Sequence, residues 1–328
     1  RTFFGMSNRI LDVLEHRGGK KLYCPFITSG FPTIKATVSL LGALQRGGAD
    51  IVELGVPFSE PQADGPVIQA SSHLSIQAGT HMKVIFASIR EARAKGCHIP
   101  IILMGYLNPI LQYRSVEGQS QPSTVDQYVS DAKEAGADGF IVVDLPPDDP
   151  SSTEFLAACK KHSMCFIPLL SPTTTPSRLK KLCQLAIGFV YAVSQTGITG
   201  RDLTRSFNPE KETKTDSNLE NRSRFESGLH QPLDLPSFIG RVRDATNLPV
   251  AVGFGIKTRD DFVKVCKLAD MGVIGSQCVR VLNKELPKDK TGLVKALSKE
   301  EEDHYILKIS DSLERYTREI TDCKDIFN

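Results

Sequence analysis

Eight short apolar runs alternate with helical patterns along the chain, and this rhythm limits its fold more than any other feature. The runs cover 22–27, 50–55, 99–104, 139–144, 165–170, 188–193, 250–254 and 272–275. Helical patterns fall between them, at 35–46, 83–95, 124–134, 152–161, 177–185, 237–245 and 259–267. The runs are nearly continuous in hydrophobicity, as parallel strands buried on both faces must be. Helix starts are marked by Thr175 before Pro176 and by Thr258 with Asp261 three residues on, a capping-box variant. Eight strand–helix units in series predict an α/β chain closed into a (β/α)₈ (TIM) barrel, a single domain over 1–328. A doubly wound sheet would usually carry fewer strands and an early Gly-x-Gly-x-x-Gly turn, and the first run is followed by none.

Two polar segments interrupt the rhythm. Residues 113–123 lengthen the loop after the third run, and 201–232 extend the loop after the sixth around a charged, Asn/Ser-rich core at 211–227. Loops of this length are commonly lids or inserts. Near the end, Ile306, Ile309, Leu313, Tyr316 and Ile320 recur at three/four spacing and predict an amphipathic helix over about 305–320, packed on the barrel. Apolar residues at 40% and charged residues at 24% are ordinary for a globular protein. A net charge of +2, with no basic tract interleaved with aromatics, argues against nucleic acid as a partner. No apolar run approaches the ~18 residues of a membrane span. The eight cysteines stand singly without Cys-x-x-Cys spacing, which predicts buried thiols rather than a disulfide framework. The expected compartment is the cytoplasm, or a plastid if a transit segment was removed ahead of Arg1.

Chemistry concentrates in residues 51–69. Glu53 sits inside a run of apolar β-formers, where an acid is costly unless it is paired or used, because burial disfavours its charged form. A hydrogen-bonded structural acid is one reading; a working acid with a raised pKa is the other. Pro57, Pro61, Gly65 and Pro66 stiffen the loop that follows and hold a second acid, Asp64, in fixed geometry. In a barrel the strand C-termini build the active site. Those ends carry Thr28, Glu53, Tyr106 and Asn108, Asp144, Ser171, Ser194, Gly253 to Gly255, and Gly275-Ser276. No Lys stands there for a Schiff base, and His16, His98 and His162 read as surface residues on helix ends and loops. Acid–base chemistry by carboxylates is what remains. Gly197 and Gly200, Gly253 and Gly255, and Gly275-Ser276 follow three consecutive late strands and predict a phosphate cradle, although each glycine alone could be a turn residue.

The stretch from Ile51 to Gln69 resembles the signature of the tryptophan synthase α subunit, running from a strand Glu through Pro-Phe-Ser-acid-Pro to Ala-Asp-Gly-Pro. Further blocks follow in that family's order: Cys24 to Thr28, Leu103-Met104 with Asn108-Pro109, Val143 to Pro146, Ser194 to Gly200, Gly253 to Gly255 and Gly275-Ser276. The resemblance covers about residues 8 to 320. It implies a lyase that splits indole-3-glycerol phosphate into indole and glyceraldehyde 3-phosphate by a metal-free retro-aldol reaction. Glu53 then corresponds to the general acid/base and Asp64 to the carboxylate that meets the indole N–H. Phe26, Leu103, Tyr191 and Phe254 correspond to the indole pocket or its floor, with ordinary barrel core as the other reading. Thr199, Gly200, Gly255, Gly275 and Ser276 correspond to further substrate contacts, with Asp144 and Thr199 supporting the closed site. Pro57 and Glu60 fall on the expected partner face. The resemblance implies no cofactor in this chain, and a β subunit or fused β domain carrying pyridoxal phosphate as partner. Glu60 stands where the family usually has Asp, and Gln195 where the residue is often basic. Other readings are an inactive barrel that regulates a β partner, or a different phosphate-binding barrel of the same pathway.

Overall fold

The structure, a computed structural model, describes residues 7–116, 120–146, 150–193, 235–253, 255–290, 294–295 and 297–322. Nine parallel strands form one sheet in the order β5-β4-β3-β2-β1-β9-β8-β7-β6. They are β1 (Leu22–Thr28), β2 (Val52–Gly55), β3 (Ile101–Gly105), β4 (Gly139–Val142), β5 (Cys165–Phe166), β6 (Leu169–Leu170), β7 (Val190–Val193), β8 (Val250–Gly253) and β9 (Met271–Ile274). The two ends of that order, β5 and β6, are separated in sequence only by Ile167 and Pro168. They are one interrupted strand, because proline cannot donate to a ladder. Hydrogen bonding continues through the break, from Ile167 N–H to the Phe140 carbonyl at 3.0 Å and from Tyr191 N–H to the Pro168 carbonyl at 3.1 Å. The sheet therefore closes as the expected eight-stranded barrel, with the fifth predicted run split in two.

The helices are α1 (Arg9–His16), α2 (Ile34–Arg46), α3 (Pro66–Gln77), α4 (Met82–Ala94), α5 (Leu107–Leu111), α6 (Val125–Ala135), α7 (Pro150–Lys161), α8 (Pro176–Leu185), α9 (Leu235–Ala245), α10 (Arg259–Cys266), α11 (Ser276–Glu285) and α12 (Lys299–Thr321). Thr258 and Asp261 form the capping box of α10, each side chain accepting from the other's backbone N–H. A second capping box, Ser298 with Glu301, starts α12 at Lys299, ahead of the first residue of the apolar repeat, Ile306. The helix packs on α2 and α11, and Arg46 reaches Glu314 at 2.8 Å. None of the described helices is long and apolar enough to cross a membrane. Seven of the cysteines are free and buried, and Cys323 lies outside the described residues.

Two apolar layers follow from the period of two along each strand. Cys24, Ile51, Ile102, Ile141, Cys165, Tyr191, Ala251 and Val273 point into the barrel, and the alternate residues pack under the helices. At the N-terminal end of the strands Ile10 of α1 plugs the interior. The Asn8 side chain caps α1 by accepting from Ile10 N–H at 2.9 Å, and donates to the Asp138 carbonyl at 2.7 Å. Buried Asp138 takes Arg9 at 2.9 Å, Arg93 at 3.0 Å and the Ile101 N–H at 2.9 Å. With that end sealed by satisfied groups, the C-terminal end of the strands is where a cavity opens.

Candidate active site

Parallel register places the site's first pair. Glu53 on β2 lies beside Phe26 on β1 and Ile102 on β3, so its side chain shares their inward face. The residue is 1% exposed and its Oε1 has no hydrogen-bond partner among the described residues. Burial disfavours the charged form and pushes the Glu53 carboxyl from 4.5 up to about 8. The structural reading of this acid required a partner; its buried oxygen lacks one.

Asp64 reaches the same cavity from the loop after β2. A turn from Asp64 N–H to the Pro61 carbonyl, 3.0 Å, shapes that loop, and Gly65 with Pro66 at the first helical position turns it into α3. The Tyr106 hydroxyl donates to Asp64 Oδ2 at 3.1 Å. Burial raises the Asp64 carboxyl to about 6, and the Tyr106 hydrogen bond restrains the rise. In water the two acids differ by about half a unit. Here their environments push them apart, so between about 6 and 8 Glu53 holds a proton while Asp64 is ionised.

The cavity is also lined by Phe26, Ile68, Met104, Tyr191, Ile256 and Val273. Apolar walls around two acids suit a flat aromatic substrate. Glycine makes room for two of the rings. A Cβ on Gly55 would lie 2.6 Å from Phe26 Cε2, and one on Gly253 would lie 2.5 Å from Tyr191 Cζ. Leu103 does not line the cavity. It is one residue out of phase with Glu53's neighbour Ile102 and packs in the outer layer under the helices, and Met104 takes the inward place.

The cavity is lined as well by Gly255, Lys257, Gly275, Ser276, Gln277 and Arg280. Gly255 has φ +79°, a conformation that a side chain resists, and Gly275 precedes the first residue of α11. A helix N-terminus offers unpaired N–H groups to an anion, and Arg280, one turn into α11, adds a cation to the same lining. The sequence reading found the glycines and missed Arg280 and Lys257. The i,i+4 spacing of Ser276 and Arg280 was the available signal. Asp144 is exposed and accepts from Leu107 N–H at 2.7 Å, at the rim rather than in the cavity. Pro57 is half-buried and Glu60 exposed on the loop after β2, and neither lines the cavity. Thr199, Gly200 and Phe254 lie outside the described residues, as does the insert at 211–227.

Known proteins match this chain over most of its length. The family model for the tryptophan synthase alpha chain matches residues 14–218 and 227–306. The tryptophan synthase alpha chain of Geobacter sulfurreducens is 39% identical over 288 residues, covering 87% of this chain and 94% of that one. The tryptophan synthase of Saccharomyces cerevisiae is 40% identical over 255 residues, which are 77% of this chain and 31% of the longer yeast protein. A solved tryptophan synthase subunit alpha from Legionella pneumophila superposes with a TM-score of 0.72 at 29% identity, covering 98% of this chain and 99% of that one. With the closed barrel, the paired acids and the glycine wall in place, these matches show that the chain belongs to the tryptophan synthase alpha chain family, lyases of the α reaction in tryptophan biosynthesis.

Proposed function

We propose that Glu53 and Asp64 divide the cleavage of indole-3-glycerol phosphate between them. The observation that carries this reading is a buried, unpartnered glutamic acid facing the same apolar cavity as a second, more acidic carboxyl. Glu53 in its acid form gives its proton to indole C3, and the positive charge that appears at the ring nitrogen meets ionised Asp64. Glu53, now a carboxylate, takes the proton of the hydroxyl on the carbon attached to C3. The C–C bond then breaks, its electron pair returns to the ring, and the aldehyde of glyceraldehyde 3-phosphate forms. Glu53 ends protonated as it began, so one group serves both proton steps.

The wall at Gly255, Gly275 and Ser276 holds the phosphate on backbone N–H groups, and Phe26, Tyr191 and Met104 hold the indole. Thr199, Gly200 and Phe254 complete the pocket in this reading, and Leu103 backs it from the outer layer. A β component takes the indole onward with pyridoxal phosphate, and the loop after β2, with Pro57 and Glu60, forms part of its docking face. The yeast match, in which this chain corresponds to 31% of a longer protein, is consistent with a β domain on the same polypeptide. Purified protein given indole-3-glycerol phosphate should release indole and glyceraldehyde 3-phosphate in equal amounts. No indole from a folded protein that still binds glycerol phosphate would favour the inactive, regulatory barrel instead.

A further inference from the structure

We propose that Tyr106 is a positioning residue for Asp64: its hydroxyl fastens the loop after β2 to the end of β3 and aims one face of the Asp64 carboxylate at the substrate. This rests on the reading of Asp64 as the carboxylate facing the indole N–H. The hydroxyl is used twice. It accepts from Ala63 N–H at 3.0 Å and donates to Asp64 Oδ2 at 3.1 Å. Because the Ala63 N–H occupies the phenol's acceptor side, the phenol proton is directed to the carboxylate. The ring also packs on Phe58 of the same loop, with centroids 5.0 Å apart and planes inclined by 31°. Three points of one loop, at Phe58, Ala63 and Asp64, are therefore held by one side chain that is 6% exposed.

The clamp has a fixed base. Tyr106 is the N-cap of α5, and Asp144 at the end of β4 accepts from the next amide, Leu107 N–H, at 2.7 Å. Val143 N–H donates to the Gly105 carbonyl at 2.9 Å, so the backbone on both sides of Tyr106 is tied to the segment that directly follows β4. The chain of contacts runs from Asp144 through Leu107 and Tyr106 to Asp64, across the ends of three neighbouring strands. It secures Oδ2 alone. Asp64 Oδ1 has no hydrogen-bond partner among the described residues and is left for the substrate. A catalytic carboxylate on a loop needs such support, since displacement by about 1 Å can cost on the order of 10² in rate.

Tyr106→Phe removes the hydroxyl and keeps the ring on Phe58. Glu53 on β2, Tyr191 on β7, Lys257 and Arg280 also line the cavity, and all are common to both proteins. The pair therefore isolates the hydroxyl and its two hydrogen bonds, with Ala63 N–H and Asp64. In the full-length variant, kcat for indole release should fall ~10–100-fold, as loss of a hydrogen bond to a charged group predicts. KM and glycerol phosphate binding should stay near wild type. The acidic limb of kcat/KM should move to higher pH, because the ionised form of Asp64 loses its donor. A carbon-13 titration of the Asp64 carboxyl should show the same upward movement without any turnover. Asp144→Ala should reproduce a smaller part of the fall in kcat. An unchanged kcat and acidic limb in an active enzyme would overturn the clamp. A fall in kcat with no movement of the Asp64 titration would show only a structural contribution and would also overturn it. Absence of indole release by the wild-type protein is a different failure, that of the reading on which the clamp rests.

Discussion

Phe26 and Glu53 are register partners on adjacent parallel strands, so an aromatic ring and a carboxyl enter one cavity side by side. The ring helps to remove water from the acid, and the acid gains its high pKa from that loss. This coupling of apolar wall and proton donor leads to consequences for pH, stability and binding.

Activity should follow a bell over pH. Glu53 must hold a proton to start the reaction, and this form is lost as pH rises through about 8. Asp64 must be ionised, and this form is lost as pH falls through about 6. The profile of kcat/KM should therefore be broad near 7 with limbs close to those two values. A flat profile from 5 to 9 in a folded enzyme would contradict the assignment of both acids.

Stability should move the other way at Glu53. In the unfolded chain a glutamic acid ionises near 4.5, while in the fold Glu53 keeps its proton to about 8. Across that window the unfolded state releases a proton that the folded state retains, so folding weakens as pH rises and levels off above about 8. Glu53→Gln removes the titration. Its melting temperature relative to wild type should climb from pH 4.5 to 8.5, by on the order of 5 °C. Melting curves of the two proteins at both pH values decide this, and a difference independent of pH would argue that Glu53 has a hidden partner.

Gly255→Val and Gly275→Val should each weaken glycerol phosphate binding by ~10-fold or more, for different reasons. At Gly255 a β-branched residue must adopt φ +79°, which costs ~1–2 kcal/mol and displaces the loop. At Gly275 a Cβ has ordinary contacts, 3.8 Å from Ile68 and Phe26, and it is the branches that fill the cavity before α11. Calorimetric titration with glycerol phosphate separates these outcomes from a general loss of fold. Unchanged affinity in both would place the phosphate elsewhere.

Much of this was legible in the sequence, because parallel strands buried on both faces are written as uninterrupted apolar runs and the barrel needs eight of them. The fifth run hid its break, since Pro168 interrupts the strand without interrupting the hydrophobic pattern. Leu103 and Met104 show the limit at the site. Both are apolar neighbours in one run, and only the register with Glu53 through Ile102 shows which of them faces inward. Asp64 was found through its motif, whereas Tyr106 was read only as a strand-end residue, because its contacts to Ala63 and Asp64 span 43 and 42 positions. Arg280 was not singled out, because the helix that brings it to the cavity, α11, was not read from the sequence.

Addition of a β component should raise indole release well above the rate of the chain alone, because a partner that prefers the closed site favours the arrangement that aligns the acids. Deletion of 211–227 should leave most of that gain. Activation lost with the basal rate intact would assign the partner contact to the insert.

The most direct measurement compares Glu53→Gln with wild type on indole-3-glycerol phosphate, with glycerol phosphate binding followed in the same preparations. The amide keeps the shape of the acid and cannot move a proton. Indole release should drop by ~10²–10⁴-fold or more, with glycerol phosphate affinity nearly unchanged. Turnover by Glu53→Gln close to that of wild type would show that the buried acid is not the proton donor.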